Sequence, residues 1–221
     1  MLISSPDVRK ALARSTTALL GVLLLASCTS GGSEARSANP CGIGTASQEE
    51  ALVREVLGSQ DFTTKDYGST SGFVDEAKRA LPVLRPEKHT FYTNVCGYGT
   101  ADERGAGGMT FLAGWLLRTS GAPSSPGDVP YALNGVRGVA SDSRSTLLVP
   151  CDMPGDLREQ SQKVWLTGDL TFGQSRPATD QAAKDRRMTL AYLMTRRVAD
   201  ALGCENKPLE KAPVVKPAPT P

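Results

Sequence analysis

A single histidine, His89, serves all 221 residues, and that scarcity excludes several kinds of chemistry at once. A Ser–His or Cys–His catalytic pair would have to use this one imidazole, which stands between Lys88 and Thr90 where a strand begins and reads as an ordinary exposed side chain. No CxxC spacing occurs, so a zinc site would need thiolates that an oxidising compartment pairs instead. Neither sign of charge dominates: 25 Lys and Arg face 23 Asp and Glu. No basic run is interleaved with aromatics, which make up only 5% of the chain, so the footprint of a nucleic-acid binder is missing. Arg186, Arg187, Arg196 and Arg197 come nearest to a patch and read as a solvated helix face.

Motifs are missing as well. There is no GxxxxGK[ST], and the stretch Gly68-Ser69-Thr70-Ser71-Gly72 has Thr where a GxSxG elbow needs Ser. The glycines of GYG and GAGG fall between two strand-like runs rather than between a strand and a helix, so they do not form a dinucleotide fingerprint. Glu49-Glu50 and Asp75-Glu76 are adjacent in helical segments and point apart. No catalytic, cofactor-binding or metal-ligating residue is therefore assigned, and no cofactor is expected. Three features stay open: Asp142, Asp152 and Asp169 could meet in space, and Trp115 and Trp165 are either core residues or the walls of a sugar or peptide groove.

What is present is concentrated at the amino terminus. Arg9, Lys10 and Arg14 precede an uncharged run from Ala18 to Ala26, about half the roughly 20 residues of a spanning helix. The run ends in Leu25-Ala26-Ser27-Cys28, which resembles the lipobox of bacterial lipoproteins. Residues 1–27 are expected to be a cleaved signal peptide. Cys28 would then carry a diacylglyceryl thioether, and two or more palmitate-type acyl chains hold a protein stably on a membrane where one does not. This predicts a protein anchored through Cys28 on the extracytoplasmic side of the cell membrane. Residues 28–40 read as a flexible tether with no apolar cluster, residues 41–207 as the folded domain, and residues 208–221, with their prolines, as a disordered tail.

Export leaves Cys41, Cys96, Cys151 and Cys204, an even number that implies two disulfides. Local patterns bear on the pairing. Ser47 and Glu50 form a capping box for a helix over 48–57, and Gly58 stops it. A shorter amphipathic turn over 72–80 breaks at Pro82. Strands are expected over 89–96, 109–117, 135–140, 145–149 and 164–172, the last from its period-2 alternation. A long helix over 180–202 carries Leu190, Met194, Val198 and Leu202 at four-residue spacing, with Gly203 as its cap.

The fold class is thus α+β: small antiparallel sheet packed with an N-terminal and a long C-terminal helix. Each of the halves 41–120 and 131–207 holds a helix beside a cysteine, a strand ending in a cysteine and a strand with a tryptophan, the pattern of a degenerate duplication. Pairing within halves, Cys41 with Cys96 and Cys151 with Cys204, joins helix ends to strand ends. Cys41 with Cys204 is the competing arrangement, because domain ends often lie close together.

A helix ending in Leu202-Gly203-Cys204, an upstream Val149-Pro150-Cys151 and a lipobox signal together resemble a group of small exported lipoproteins of unknown function from actinomycetes. The resemblance runs from Cys41 to Cys204 and implies export and cysteine placement, without an activity. The reading that follows is a lipid-anchored module of the cell envelope, non-catalytic, that binds another envelope protein or a small ligand or has a structural role. Two alternatives are a small cell-wall hydrolase or carbohydrate-modifying enzyme and a solute-binding lipoprotein of a transporter.

Overall fold

The computed structural model describes residues 39–100, 108–120, 127–173 and 180–218, all within a unit spanning residues 36–221. The signal segment and Cys28 lie outside the described residues, as does the tether except Asn39 and Pro40. In chain order the elements are α1 (Gln48–Leu57), β1 (Thr63–Asp66), α2 (Thr70–Ala80), β2 (Thr90–Gly99), β3 (Met109–Leu117), β4 (Val129–Leu133), β5 (Val136–Ala140), β6 (Arg144–Val149), α3 (Arg158–Ser161), β7 (Val164–Phe172) and α4 (Gln181–Leu202).

The seven strands form one sheet in the order β1-β2-β3-β7-β6-β5-β4, antiparallel at every pairing. The α+β class, the N-terminal helix and the long C-terminal helix are therefore as expected. The segments 41–120 and 131–207 contribute three and four strands to this single sheet and meet where β3 pairs with β7.

Local chemistry explains the element ends. Ser47 accepts a hydrogen bond from the Glu50 amide at 3.1 Å while the Glu50 carboxylate accepts one from the Ala46 amide, and Gly58 closes α1 in the left-handed conformation. Asp180 caps α4 by accepting from the Ala183 amide at 2.7 Å, and Gly203 ends it at φ 76°. Three elements escape the sequence patterns. β1 is exposed at all four positions, so it has no alternation to reveal it. β4 reaches β5 through a two-residue Asn134-Gly135 turn with φ of 48° and 89°, the type I′ hairpin that an Asn-Gly pair favours. α3 is a single turn.

Alternation along each strand sorts side chains onto two faces. On one face Phe111 and Trp115 of β3, Leu166 and Leu170 of β7, and Leu147 of β6 are buried beneath the helices. Helix α4 crosses so closely that a Cβ on Gly168 would lie 1.8 Å from the Thr195 hydroxyl, and one on Gly138 2.8 Å from the Met188 sulfur. α1 packs on α4, and α2 receives a 2.9 Å hydrogen bond from the Trp115 indole at the Ala77 carbonyl.

Both disulfides form within the halves: Cys41–Cys96 with Cα atoms 5.4 Å apart, and Cys151–Cys204 at 5.0 Å. The Cys41–Cys204 arrangement is thereby excluded. The bridges close loops of 55 and 53 residues, each worth about 4 kcal/mol in the chain-entropy description.

The expectation of a disordered tail over 208–221 needs correction as far as residue 218. Leu209 is buried in the core, the Tyr192 hydroxyl donates to the Lys211 carbonyl at 3.1 Å, and the Asn134 amide donates to the Ala212 carbonyl at 2.8 Å. Pro217 then forms a bridge with Tyr131, and the Ala218 amide donates to the Pro130 carbonyl at 2.8 Å, along the outer edge of β4. Prolines prevent a regular ladder here but not docking on an edge strand, where few of their missing N–H groups are needed.

Candidate functional site

The opposite face of the sheet carries none of the described helices, and it is there that polar chemistry collects. Asp169, on β7 between Thr167 and Thr171, is only 1% exposed. The Arg144 guanidinium donates to its two oxygens through Nε and Nη2 at 2.8 and 2.7 Å, and the Thr146 hydroxyl donates to Oδ1. Register puts them together, since Thr146 lies directly opposite Asp169 and Arg144 opposite Thr171. A bidentate Arg satisfies a buried carboxylate far better than a single donor would. The Asp169 hydrogen bonds hold the Arg144 pKa above its ordinary value against the opposing effect of burial.

Tyr92 flanks this pair from β2, opposite Gly114. A Cβ on Gly114 would collide with the Phe91 carbonyl oxygen at 1.7 Å, so glycine is what lets β2 come close at this point. Burial pushes the Tyr92 phenol pKa up, and the negative charge of Asp169 adds to it. The Thr167 hydroxyl, buried and without a well-formed hydrogen bond of its own, lies near enough to oppose that rise, as does Arg144.

Further toward the β1 edge, the same face opens into a groove of about 530 Å³ lined by Thr63, Lys65, Tyr67, Gly97, Thr110 and Thr171 among others. The Tyr67 ring takes the space a side chain at Gly97 would fill, 3.2 Å from the built Cβ position, and the Lys65 ammonium sits 4.8 Å above its centre. Tyr67 is also the wall shared with a second cavity, about 250 Å³, between the start of α2 and β2. No carboxylate, imidazole or thiol is among the described residues lining the larger groove.

The residues singled out in the sequence go to several places. Trp115 is fully buried in the core; Trp165 is half-buried on the helix-free face, with the Arg118 guanidinium stacked 4.2 Å from its ring centre. Asp142, Asp152 and Asp169 do not meet: Asp142 pairs with Lys184 of α4 at 3.0 Å, Asp152 uses its backbone to receive the Glu205 amide, and Asp169 is held by Arg144. His89 is exposed, and only its carbonyl is engaged, by the Leu117 amide at 2.9 Å. In the failed elbow, Ser69 caps α2 by accepting from the Gly72 amide at 3.0 Å.

The four arginines of α4 are not a solvated face, which corrects that reading. Arg196 and Arg197 both pair with Glu49 of α1, Arg186 lies 3.7 Å from Glu55, and Arg187 stacks 3.8 Å from the Phe172 ring centre while donating to the Asp142 carbonyl. They tie α4 to α1 and to the β5–β6 turn. Among the described residues no group of three or more His, Cys, Asp or Glu side chains could hold a metal ion, and no helix is long and apolar enough to cross a membrane.

Sequence reading missed Lys65, Tyr67, Tyr92, Arg144 and Thr146. They belong to no motif, and what unites them is cross-strand register. Compared with family models, curated proteins and solved structures, the chain matches none.

Proposed function

We propose that the protein is a lipid-anchored, extracytoplasmic module of the cell envelope, attached through Cys28, that binds a partner or small ligand on the helix-free face of its sheet and performs no chemistry on it. The observation that carries the binding part is the groove on that face. Its described lining offers one ammonium and several hydroxyls, with no acid, base or nucleophile pair. Asp169 is already committed to Arg144 and Thr146, whereas glycoside hydrolysis needs two carboxyl groups free to face the scissile bond. Two disulfides and a docked tail make the scaffold rigid, which suits presentation of a preformed surface.

Two experiments test the two parts. Cys28→Ser should release the protein into the medium or leave its signal uncleaved; a membrane-bound variant of mature size would refute the anchor. A photo-reactive residue at Lys65 or Trp165 should capture an envelope component in intact cells. Equal capture from the exposed Lys78 of α2 would remove the helix-free face from its assigned role. His89→Ala should leave that capture within a few-fold, because no proton transfer is assigned to the imidazole.

A further inference from the structure

The register of five strands aligns one residue from each into a single row across the helix-free face. Arg144 lies opposite Thr171, Thr171 opposite Thr110, Thr110 opposite Gly97, and Gly97 opposite Lys65. Three strand spacings of about 4.8 Å separate Thr171 from Lys65, so the groove between them is at most about 14 Å across. Its volume, about 530 Å³, falls within the range of roughly 300–1,000 Å³ common for small-ligand sites.

The hydrogen-bonding capacity of this groove is unequal. The Thr171 hydroxyl gives its proton to the Thr110 carbonyl at 3.2 Å, and the Thr63 hydroxyl gives its own to the Gly99 carbonyl at 3.2 Å. Each hydroxyl therefore presents lone pairs to a ligand and has no proton left to offer. A ligand satisfying them must bring hydrogen-bond donors, O–H or N–H. At the β1 end, the Lys65 ammonium has no ion-pair partner among the described residues and leans on the Tyr67 ring. Beyond Thr171 in the same row, Arg144 is not a free cation, since the Asp169 carboxylate holds it through two hydrogen bonds. The Tyr67 ring covers Gly97, and the space over Gly99 is open, which leaves room for a ligand ring beside the tyrosine.

We propose that this groove binds an acidic sugar: a hydroxyl-rich saccharide whose O–H groups donate to Thr63 and Thr171 and whose carboxylate meets Lys65. The proposal deepens the binding reading above and rests on it, naming the class of ligand for that face. A donor-free anion would leave the Thr63 and Thr171 acceptors unmatched. A neutral sugar would satisfy the threonines and leave the ammonium unanswered. An acidic saccharide meets both requirements at once, because it carries O–H donors and a carboxylate on the same ring.

The test titrates the disulfide-intact full chain with digalacturonate, cellobiose and pyrophosphate, following backbone amide NMR signals and heats of binding. Digalacturonate should shift the amides of residues 63–67, 97–99, 110 and 171 and bind about tenfold more tightly than either cellobiose or pyrophosphate. Lys65→Ala should reduce digalacturonate affinity to about that of cellobiose. Thr171→Val, nearly isosteric, should weaken it about threefold, and Thr63→Val on the exposed edge strand about as much. Pyrophosphate binding as tightly as digalacturonate would overturn the proposal in favour of a plain anion site. So would cellobiose binding as tightly as digalacturonate, or shifts confined to residues outside the groove. Hydrolysis of digalacturonate during the titration, lost in Lys65→Ala, would support the site while overturning its non-catalytic reading.

Discussion

Trp115 and Trp165 stand on adjoining strands and on opposite faces of one sheet, and their surroundings differ in kind. Trp115 is sealed under α2 with its indole N–H spent on the Ala77 carbonyl. Trp165 is half-buried beside Arg118, with one ring face covered by a guanidinium that reaches solvent. The same contrast runs through the strands: Phe111, Leu147 and Leu170 fill one face, while Asp169, Arg144, Tyr92 and the threonines occupy the other. One face holds the fold together and the other is free to be polar, because helices α1, α2 and α4 supply apolar cover on only one side.

Substituting the two tryptophans should break this comparison most sharply. Trp115→Ala leaves a large void with an unmatched Ala77 carbonyl and should cost about 3–5 kcal/mol, whereas Trp165→Ala should cost less than about 1.5 kcal/mol because solvent already reaches its site. Denaturant midpoints of the two variants, compared at equal slope, decide it; equal losses would mean that the second face is as tightly covered as the first.

Glycines provide the next contrast. Gly168→Val drives a side chain into Thr195 of α4 and should destabilise by about 3 kcal/mol. Gly97→Ala meets only the Tyr67 ring, which can swing away, and should cost less than about 1 kcal/mol. Thermal unfolding of both variants would show whether the groove floor tolerates what the helix-covered floor does not.

Asp169→Ala should have an intermediate effect, about 2 kcal/mol. Thr146 loses its acceptor inside the sheet, but the Arg144 side chain, 42% exposed, can recover water and so escapes the full penalty of a stranded buried charge. A loss above about 4 kcal/mol would place this ion pair in the core rather than on a polar surface.

The smallest effect at neutral pH is expected from the phenols. Burial raises the pKa of both phenols, more strongly for the fully enclosed Tyr98 than for the half-buried Tyr92, with Arg197 opposing the shift in Tyr98 and Asp66 and Glu49 adding to it. A raised native pKa means that the folded state keeps a proton that the unfolded chain begins to lose near pH 10. The stabilisation is therefore complete below about pH 10 and is lost as pH rises through the native values. Tyr98→Phe should flatten the alkaline loss of stability more than Tyr92→Phe does, in unfolding curves taken between about pH 8 and pH 11. An equal flattening would show that both faces desolvate a phenol alike.

Much of the architecture was legible because it follows from short-range rules. Ser47, Glu50 and Gly58 delimit α1, the four-residue spacing from Leu190 to Leu202 marks α4, and the alternation of Val164 to Phe172 marks β7. Even the disulfides were reachable: Cys151–Cys204 joins a strand end to a helix end, while Cys41–Cys96 ties the approach to α1 to β2, which runs on to Gly99 beyond the expected strand. β1 was not, because Thr63–Asp66 is exposed throughout and makes its hydrogen bonds only to β2. With β1 unseen, Lys65 and Tyr67 had no face to belong to. The arginines of α4 were misjudged for a related reason: their spacing indicates a helix but not that Glu49 and Glu55 of α1 lie against it.

The sequence by itself determined the α+β composition, the positions of the main helices and strands, the two-disulfide framework and the expectation of a lipidated Cys28. These depend on residues within a few positions of each other, or on cysteine number. Tertiary structure alone decided which strands are neighbours, which face the helices leave bare, and that Arg144, Thr171, Thr110, Gly97 and Lys65 form one row. Their alignment spans 106 positions of the chain, from residue 65 to residue 171. Strand register across such distances is set by how the whole hydrophobic face packs beneath α4, and shifting any strand by one residue would turn its row residue to the other side.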